Sequence, residues 1–341
     1  MRISKAVALV LSLLLSTLML SQVNYGSPAL ELPIDARSGG LGFKLTADLN
    51  SNSYGALYNA ALADSIDIGH VNMSYINYLG GVQGGGINTI VNASNKYALQ
   101  VGARFLSFGE FSGYDPSGVA TNNFSGGDYF IQGGLSFKLD SSIIGGLNLW
   151  GGFRNLAVEN VGSTGFDVSL MKRWDDKLMA AGVLVSGVGV QFASTGSQPT
   201  GSTPVNIQAG ITKGFNHAPF VFFLNLQNLQ TWDLAPDGTY DDTLDPLTGE
   251  VIPNKKWKFG DQLARHLNFG VELSFGTNFK AQIGYDHRRR AEMIANGLQG
   301  MNGISFGLGM KVKDLDVKFA RNTYHFAGGS THLSIGINLP R

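Results

Sequence analysis

The chain has 341 residues, with 25 Lys plus Arg balanced by 25 Asp plus Glu, 46 glycines and no cysteine. Balanced charge argues against a nucleic-acid-binding or polybasic membrane-surface protein, and the missing cysteines exclude a disulfide scaffold and Cys-ligated metal. With 43% hydrophobic and 15% charged residues, against about 25% charged in an average soluble protein, the chain must bury its apolar side chains in a large all-β core or turn them toward lipid.

Arg2 and Lys5 precede an uncharged apolar run over 6–20, which gives way to Ser21, Gln22 and Asn24. That order reads as a secretory signal peptide over 1–22, with cleavage expected near Gln22. A spanning helix would need about 20 apolar residues with a basic flank after them, and no later stretch supplies it. The following segment, 23–65, holds Leu32-Pro33-Ile34-Asp35-Ala36-Arg37, and a short helix is expected around 54–63. It precedes the first strand and is long enough to fill a lumen, so an N-terminal plug is expected.

From about Ile66 to Arg341 the sequence alternates with the two-residue period of a strand. Leu267, Phe269, Val271, Leu273 and Phe275 alternate with His266, Asn268, Gly270, Glu272 and Ser274, and Ile304, Phe306, Leu308 and Met310 alternate with Ser305, Gly307 and Gly309. The small and polar face suits a lumen and the apolar face suits lipid. On this reading Phe269→Asp should harm assembly far more than Asn268→Asp.

Fourteen such segments begin near Ile66, Gly81, Tyr97, Asp128, Ile143, Ser163, Lys177, Val205, Pro219, His266, Phe279, Asn302, Leu315 and Thr331. The connections alternate: short ones at 92–96, 140–142, 175–176, 216–218, 276–278 and 313–314, longer ones at 109–127, 156–162, 191–204, 228–265, 289–301 and 322–330. Short periplasmic turns and long outward loops are the habit of bacterial outer-membrane barrels. The fold expected is therefore all-β, a transmembrane antiparallel β-barrel of about fourteen strands over 66–341, located in the outer membrane with both termini periplasmic.

Little chemistry is legible. Gly80-Gly81 and Gly84-Gly85-Gly86 lack the context of a phosphate loop, and His70, His217, His266, His287, His325 and His332 show no metal-ligand spacing. No cofactor and no catalytic group is expected. Alternation puts His266 and Glu272 on the lumen face of one strand, and a three-residue turn sets Glu272 opposite Gln282 with Lys280 on the diagonal, a network that would hold strand register. The loop 228–265 carries Asp233, Asp237, Asp241, Asp242, Asp245 and Glu250 without the calcium-loop spacing, so it reads as a solvated acidic surface. Arg288, Arg289 and Arg290 close a strand at the outer rim, where they could meet lipopolysaccharide phosphates or an acidic partner.

The block from Leu32 to Gly42, the block Arg265-His266-Leu267-Asn268-Phe269-Gly270-Val271-Glu272 followed by Ile283-Gly284-Tyr285-Asp286-His287-Arg288-Arg289, and the closing Tyr324-His325-Phe326-Ala327-Gly328-Gly329-Ser330-Thr331-His332 together resemble the PorQ family of type IX secretion proteins. Asp286 stands where that family tends to have Asn. The resemblance implies a non-enzymatic outer-membrane barrel of the attachment complex, anchoring a PorZ-like surface protein near PorV- and PorU-like components. It makes Pro33, Arg37, His266, Glu272, Lys280, Tyr285, Gly328 and Gly329 the family-motif and lumen positions, with Arg288, Arg289, Arg290, Asp241 and Asp242 as candidate surface contacts. Two other readings stand beside it: a FadL-like transporter of hydrophobic small molecules, and a lipid-modifying barrel enzyme, for which no rim Ser or His is a good candidate.

Overall fold

The computed structural model describes residues 27–50, 52–63, 68–156, 159–195, 201–244, 250–252, 254, 257–293, 300–325 and 328–339. The expected signal peptide and the start of the first strand at Ile66 lie outside them.

Fourteen strands form a closed barrel. They are β1 (His70–Asn77), β2 (Gln83–Ala93), β3 (Tyr97–Phe111), β4 (Phe124–Lys138), β5 (Ile143–Leu156), β6 (Glu159–Trp174), β7 (Met179–Thr195), β8 (Asn206–Phe215), β9 (Ala218–Leu226), β10 (Leu267–Phe275), β11 (Phe279–Asp286), β12 (Ile304–Val312), β13 (Leu315–His325) and β14 (Gly328–Asn338). Each pairs antiparallel with its neighbours in sequence, and β1 closes on β14 with His70 opposite Asn338 and Asn77 opposite Thr331. Closure leaves no barrel strand with an unpaired edge, which lipid could not satisfy.

Alternation sorts the side chains as their chemistry requires. Met73, Ile87, Val101, Ile131, Leu149, Phe269, Leu308 and Phe319 are exposed on the outer wall, while Asn72, Asn88, Gln100, Asn148, Asn225, Asn268 and Ser334 are buried inside. An exposed apolar band of this extent would be unstable in water and is matched to hydrocarbon, so the chain is an outer-membrane barrel. Among the described residues no helix is long and apolar enough to cross a membrane; the strands do the crossing. Tight turns mark one end, with Gly276 at φ 69° and Lys313 at φ 55°. That end is taken as periplasmic and the end with the long connections as outward.

Three sequence expectations change. The loops expected over 156–162 and 322–330 shrink, because β5 runs to Leu156, β6 starts at Glu159, β13 runs to His325 and β14 starts at Gly328. The wall from β3 to β7 rises well past the lipid band, its strands being 14 to 17 residues long, whereas β8 to β12 have 8 to 10. Over the low wall the chain caps the barrel with two helices, Lys258–His266 and His287–Glu292. His266 thus ends a helix instead of opening a strand: the N–H of Leu267 still bonds the Ala264 carbonyl.

The segment 27–63 lies within the barrel. Every described residue from 52 to 63 is buried, as is every residue from 33 to 48 except Lys44. It enters at the outward mouth, where the Ser27 hydroxyl donates to Asp128 (2.8 Å) and Ala29 and Ile34 pack with Ile76, Leu106, Phe130 and Trp150. It then descends, so that Arg173, one residue from the end of β6, donates to the carbonyls of Asp48 and Asn50 near the periplasmic turns. Two short 3-10 turns, Gly55–Leu57 and Ala60–Leu62, occupy the region expected to be helical and return the chain to β1.

Candidate functional site

The plug is built around the helix Ala36–Leu41. Asp35 caps it by accepting from the Ser38 amide (2.9 Å), and Gly42 at φ 85° ends it in the left-handed conformation. Glycines let its backbone touch the wall directly: a Cβ on Gly40 would sit 2.7 Å from the Gly307 Cα, and one on Gly39 would meet the His332 ring at 2.9 Å. Pro33 is buried just before the helix. The Ala36 amide donates to the Ser334 hydroxyl (2.8 Å), so the plug is fastened to β14.

Arg37 projects from this helix into the middle of the lumen. Its guanidinium binds Asp48 of the plug and Glu272 of β10, the latter at 2.8 Å. Glu272 also accepts from Lys280 (2.9 Å) and Gln282 (2.9 Å), and it lies opposite Gln282 in the β10–β11 ladder. The pairing of Glu272, Lys280 and Gln282 was readable from strand register. Its cation, Arg37, was not, since nothing in local spacing brings a residue 235 positions away to Glu272. The four charges cancel, as burial demands.

The other candidate residues separate. His266 is buried, but in the outward cap, its ring nitrogens facing the carbonyls of Gln227 (2.8 Å) and Trp232 (3.1 Å), and it is not part of the Glu272 network. Tyr285 faces outward opposite Phe269 and is no lumen residue; its hydroxyl meets His287 at 3.2 Å. Gly328 and Gly329 open β14 at a register shift, where a side chain on Gly329 would strike the Asn322 carbonyl. Arg289 is not a surface contact, because it turns in over the Tyr324 ring (4.2 Å) and donates to the Gly42 carbonyl (3.3 Å). Arg288 pairs with Glu292 (2.9 Å) and Arg290 is half-buried. Asp241 and Asp242 are exposed, and Asp242 accepts from the Asn254 amide (2.8 Å). Among the described residues no group of His, Asp or Glu could hold a metal.

Asp261 ties the two cap helices together, accepting from Arg265 (2.7 Å), Tyr240 (2.7 Å) and His287 (3.2 Å). Burial works against its charge, yet the hydrogen bonds from Arg265, Tyr240 and His287 outweigh it and hold its carboxyl down at about 2.

Two cavities flank the plug. The outward one, about 430 Å³, is bounded by Leu30, Leu32, Phe43, Tyr58 and Leu184 together with Lys44, Arg104 and Arg289. It abuts a bulge in the wall, where Gly187 at φ 77° donates to Asp167 (2.8 Å). The periplasmic one, about 320 Å³, is lined by polar groups including Asp48, Ser53, His70 and Lys318.

No family model matches the chain, and no curated protein does. Solved structures do. A TodX monoaromatic hydrocarbon channel deltaS2 mutant has a TM-score of 0.50 at 12% identity, over 89% of this chain and 96% of that one. The Ralstonia pickettii toluene transporter TbuX has a TM-score of 0.50 at 9% identity, over 91% of this chain and 97% of that one. At such identities the likeness concerns the fold, and on that ground the chain is a fourteen-strand outer-membrane β-barrel resembling those two in shape, with its own N-terminal segment packed in the lumen.

Proposed function

We propose that this chain is a non-enzymatic outer-membrane barrel subunit of a type IX secretion machinery, a rigid platform that anchors a PorZ-like surface protein. The observation that carries the reading is the filled lumen, in which 33–48 and 52–63 are buried almost throughout and pinned by the Arg37, Asp48, Glu272 and Lys280 charges. A platform needs rigidity, and the charge-pinned plug supplies it. The resemblance of its residue blocks to the PorQ family supports this assembly, and the exposed acidic loop with Asp241 and Asp242 supplies the contact surface. Affinity purification of the tagged barrel in mild detergent should recover a large surface partner with PorV- and PorU-like components. Recovery of the barrel alone, with secretion substrates still attached to the surface of a deletion strain, would sink the reading.

A second reading is favoured by the fold comparisons with TodX, a monoaromatic hydrocarbon channel, and TbuX, a toluene transporter: a passage for hydrophobic small molecules. The outward cavity of about 430 Å³ beside the wall bulge is where such a molecule would enter. Under this reading the purified barrel carries a small apolar ligand detectable by native mass spectrometry, and Leu184→Trp, which fills the cavity, removes it. A barrel that stays empty when incubated with toluene or a fatty acid would count against it.

A further inference from the structure

The helix Lys258–His266 has its polarity reversed. Its buried residues are Gln262 (1% exposed), Arg265 (2%) and His266 (2%), while Phe259 (55%), Leu263 and, at the N-cap, Trp257 (74%) are exposed. A helix on a water-soluble surface does the opposite. The inward polar face is fully engaged, with Gln262 accepting from the Leu234 amide (3.0 Å), Arg265 bonded to Asp261 and His266 to two carbonyls. Polar-in and apolar-out is the rule of the barrel strands directly beneath, and the helix passes into β10 without a linker.

The exposed face adjoins the lipid-facing wall through β10, which the helix enters directly and whose Phe269 faces outward. Trp232 packs on Phe259 (5.5 Å) and Phe259 on Trp257 (6.0 Å). Below them Phe269 stacks on Phe222 (6.0 Å), and outward-facing Tyr285 reaches His287, which holds Asp261 of the helix. Tryptophan is enriched at the headgroup level of a bilayer, where its ring is half apolar and half polar. Arg288 stands on the adjoining helix, where a cation meets lipid phosphate.

We infer that the helix Lys258–His266 lies on the outer leaflet of the membrane, with Trp257, Phe259 and Leu263 set into the boundary between headgroups and acyl chains. An amphipathic helix so placed sinks its apolar face about 5–10 Å into that boundary. The cap is thereby fixed to lipid along one edge, leaving the acidic segment around Asp241 and Asp242 in water. This goes beyond the anchoring role and rests only on the outer-membrane placement.

Since the chain has no cysteine, single cysteines can be spin-labelled without background. Phe259→Cys and Leu263→Cys would be reconstituted in vesicles of phosphatidylethanolamine and phosphatidylglycerol, with Ile131→Cys on the lipid wall and Tyr114→Cys in an outward loop as references, and heat-modifiable electrophoretic mobility as the check of folding. Collisions with dissolved oxygen should exceed those at 114 and collisions with a water-soluble nickel chelate should fall several-fold below them, toward the values at 131. Equal nickel access at 259, 263 and 114 would overturn the inference and leave the patch as a protein-docking face. Shielding from both reagents would also overturn it, because the face would then be packed against protein.

Discussion

Replacing Arg37 with Met should release the plug without unfolding the barrel. Its guanidinium lies 2.8 Å from Glu272 and also binds Asp48, both carboxylates being nearly inaccessible. Two charges about 3 Å apart at an effective dielectric of about 20 interact by roughly 5–6 kcal/mol before desolvation. Losing one member of a buried pair costs about 3–5 kcal/mol, because the remaining charge stays buried alone. Here Glu272 keeps Lys280, while Asp48 pairs with no other cation among the described ion pairs, so the penalty falls on the plug. Trypsin cleavage after Lys44, followed against urea, reports plug release, and heat-modifiable mobility reports the barrel. Arg37→Met should become cleavable at clearly lower urea while mobility is unchanged, and adding Asp48→Asn and Glu272→Gln should restore much of the protection. Protection lost at the same urea concentration in wild type and Arg37→Met would refute the idea that these charges hold the plug.

Other expectations are as direct. Ile131→Arg, on the lipid face of β4 and 72% exposed, should cost up to about 2–4 kcal/mol, the value for a cation at the bilayer midplane, measured by refolding into vesicles, whereas Ile131→Leu should be neutral. Gly284→Ala should displace the plug, since a Cβ there would collide with the Leu41 carbonyl; overpacking of this kind costs about 1–3 kcal/mol, and the trypsin assay at Lys44 would register it. For the cap, the Asp261 carboxyl is held below its unfolded value of about 3.9, so its contribution is complete above that value and is lost as pH falls through about 2. Hydrogen-exchange protection factors over 257–266, corrected for the intrinsic pH dependence of amide exchange, should therefore be similar at pH 7 and pH 4.5 and fall steeply toward pH 2; loss of protection already at pH 4.5 would contradict the assignment.

The barrel was legible because lipid enforces alternation wherever a strand crosses it, as with Phe269 against Asn268 or Leu308 against Gly309. Strand lengths were misjudged where that constraint ends. Above the lipid band Ser125-Gly126-Gly127 in β4 and Glu159-Asn160 at the start of β6 have no apolar side to show, so paired backbone was read as loop. The cap helix was missed because its apolar residues face outward and its polar ones inward, and Asp261 was one carboxylate among many in an acidic stretch. The plug was expected from segment length alone, and its fastening to β12 and β14 depends on contacts across most of the chain. Asn268→Asp also proves to be a poor lumen control: Asn268 is fully buried opposite Asp286, where a second negative charge would be repelled.

The path of the plug bears on the order of assembly. Residues near the start of the described chain bind those near its end: Ala36 holds Ser334, Gly39 fits against His332 and Gly40 rests on Gly307. Ala36 and Ser334 are 298 residues apart, so this contact cannot form until the final hairpin has been made, and such non-local contacts are slow to reach. The same late strand, β14, is also the one that receives β1. Completing the plug's seat and sealing the seam therefore both draw on β14, the strand that arrives last.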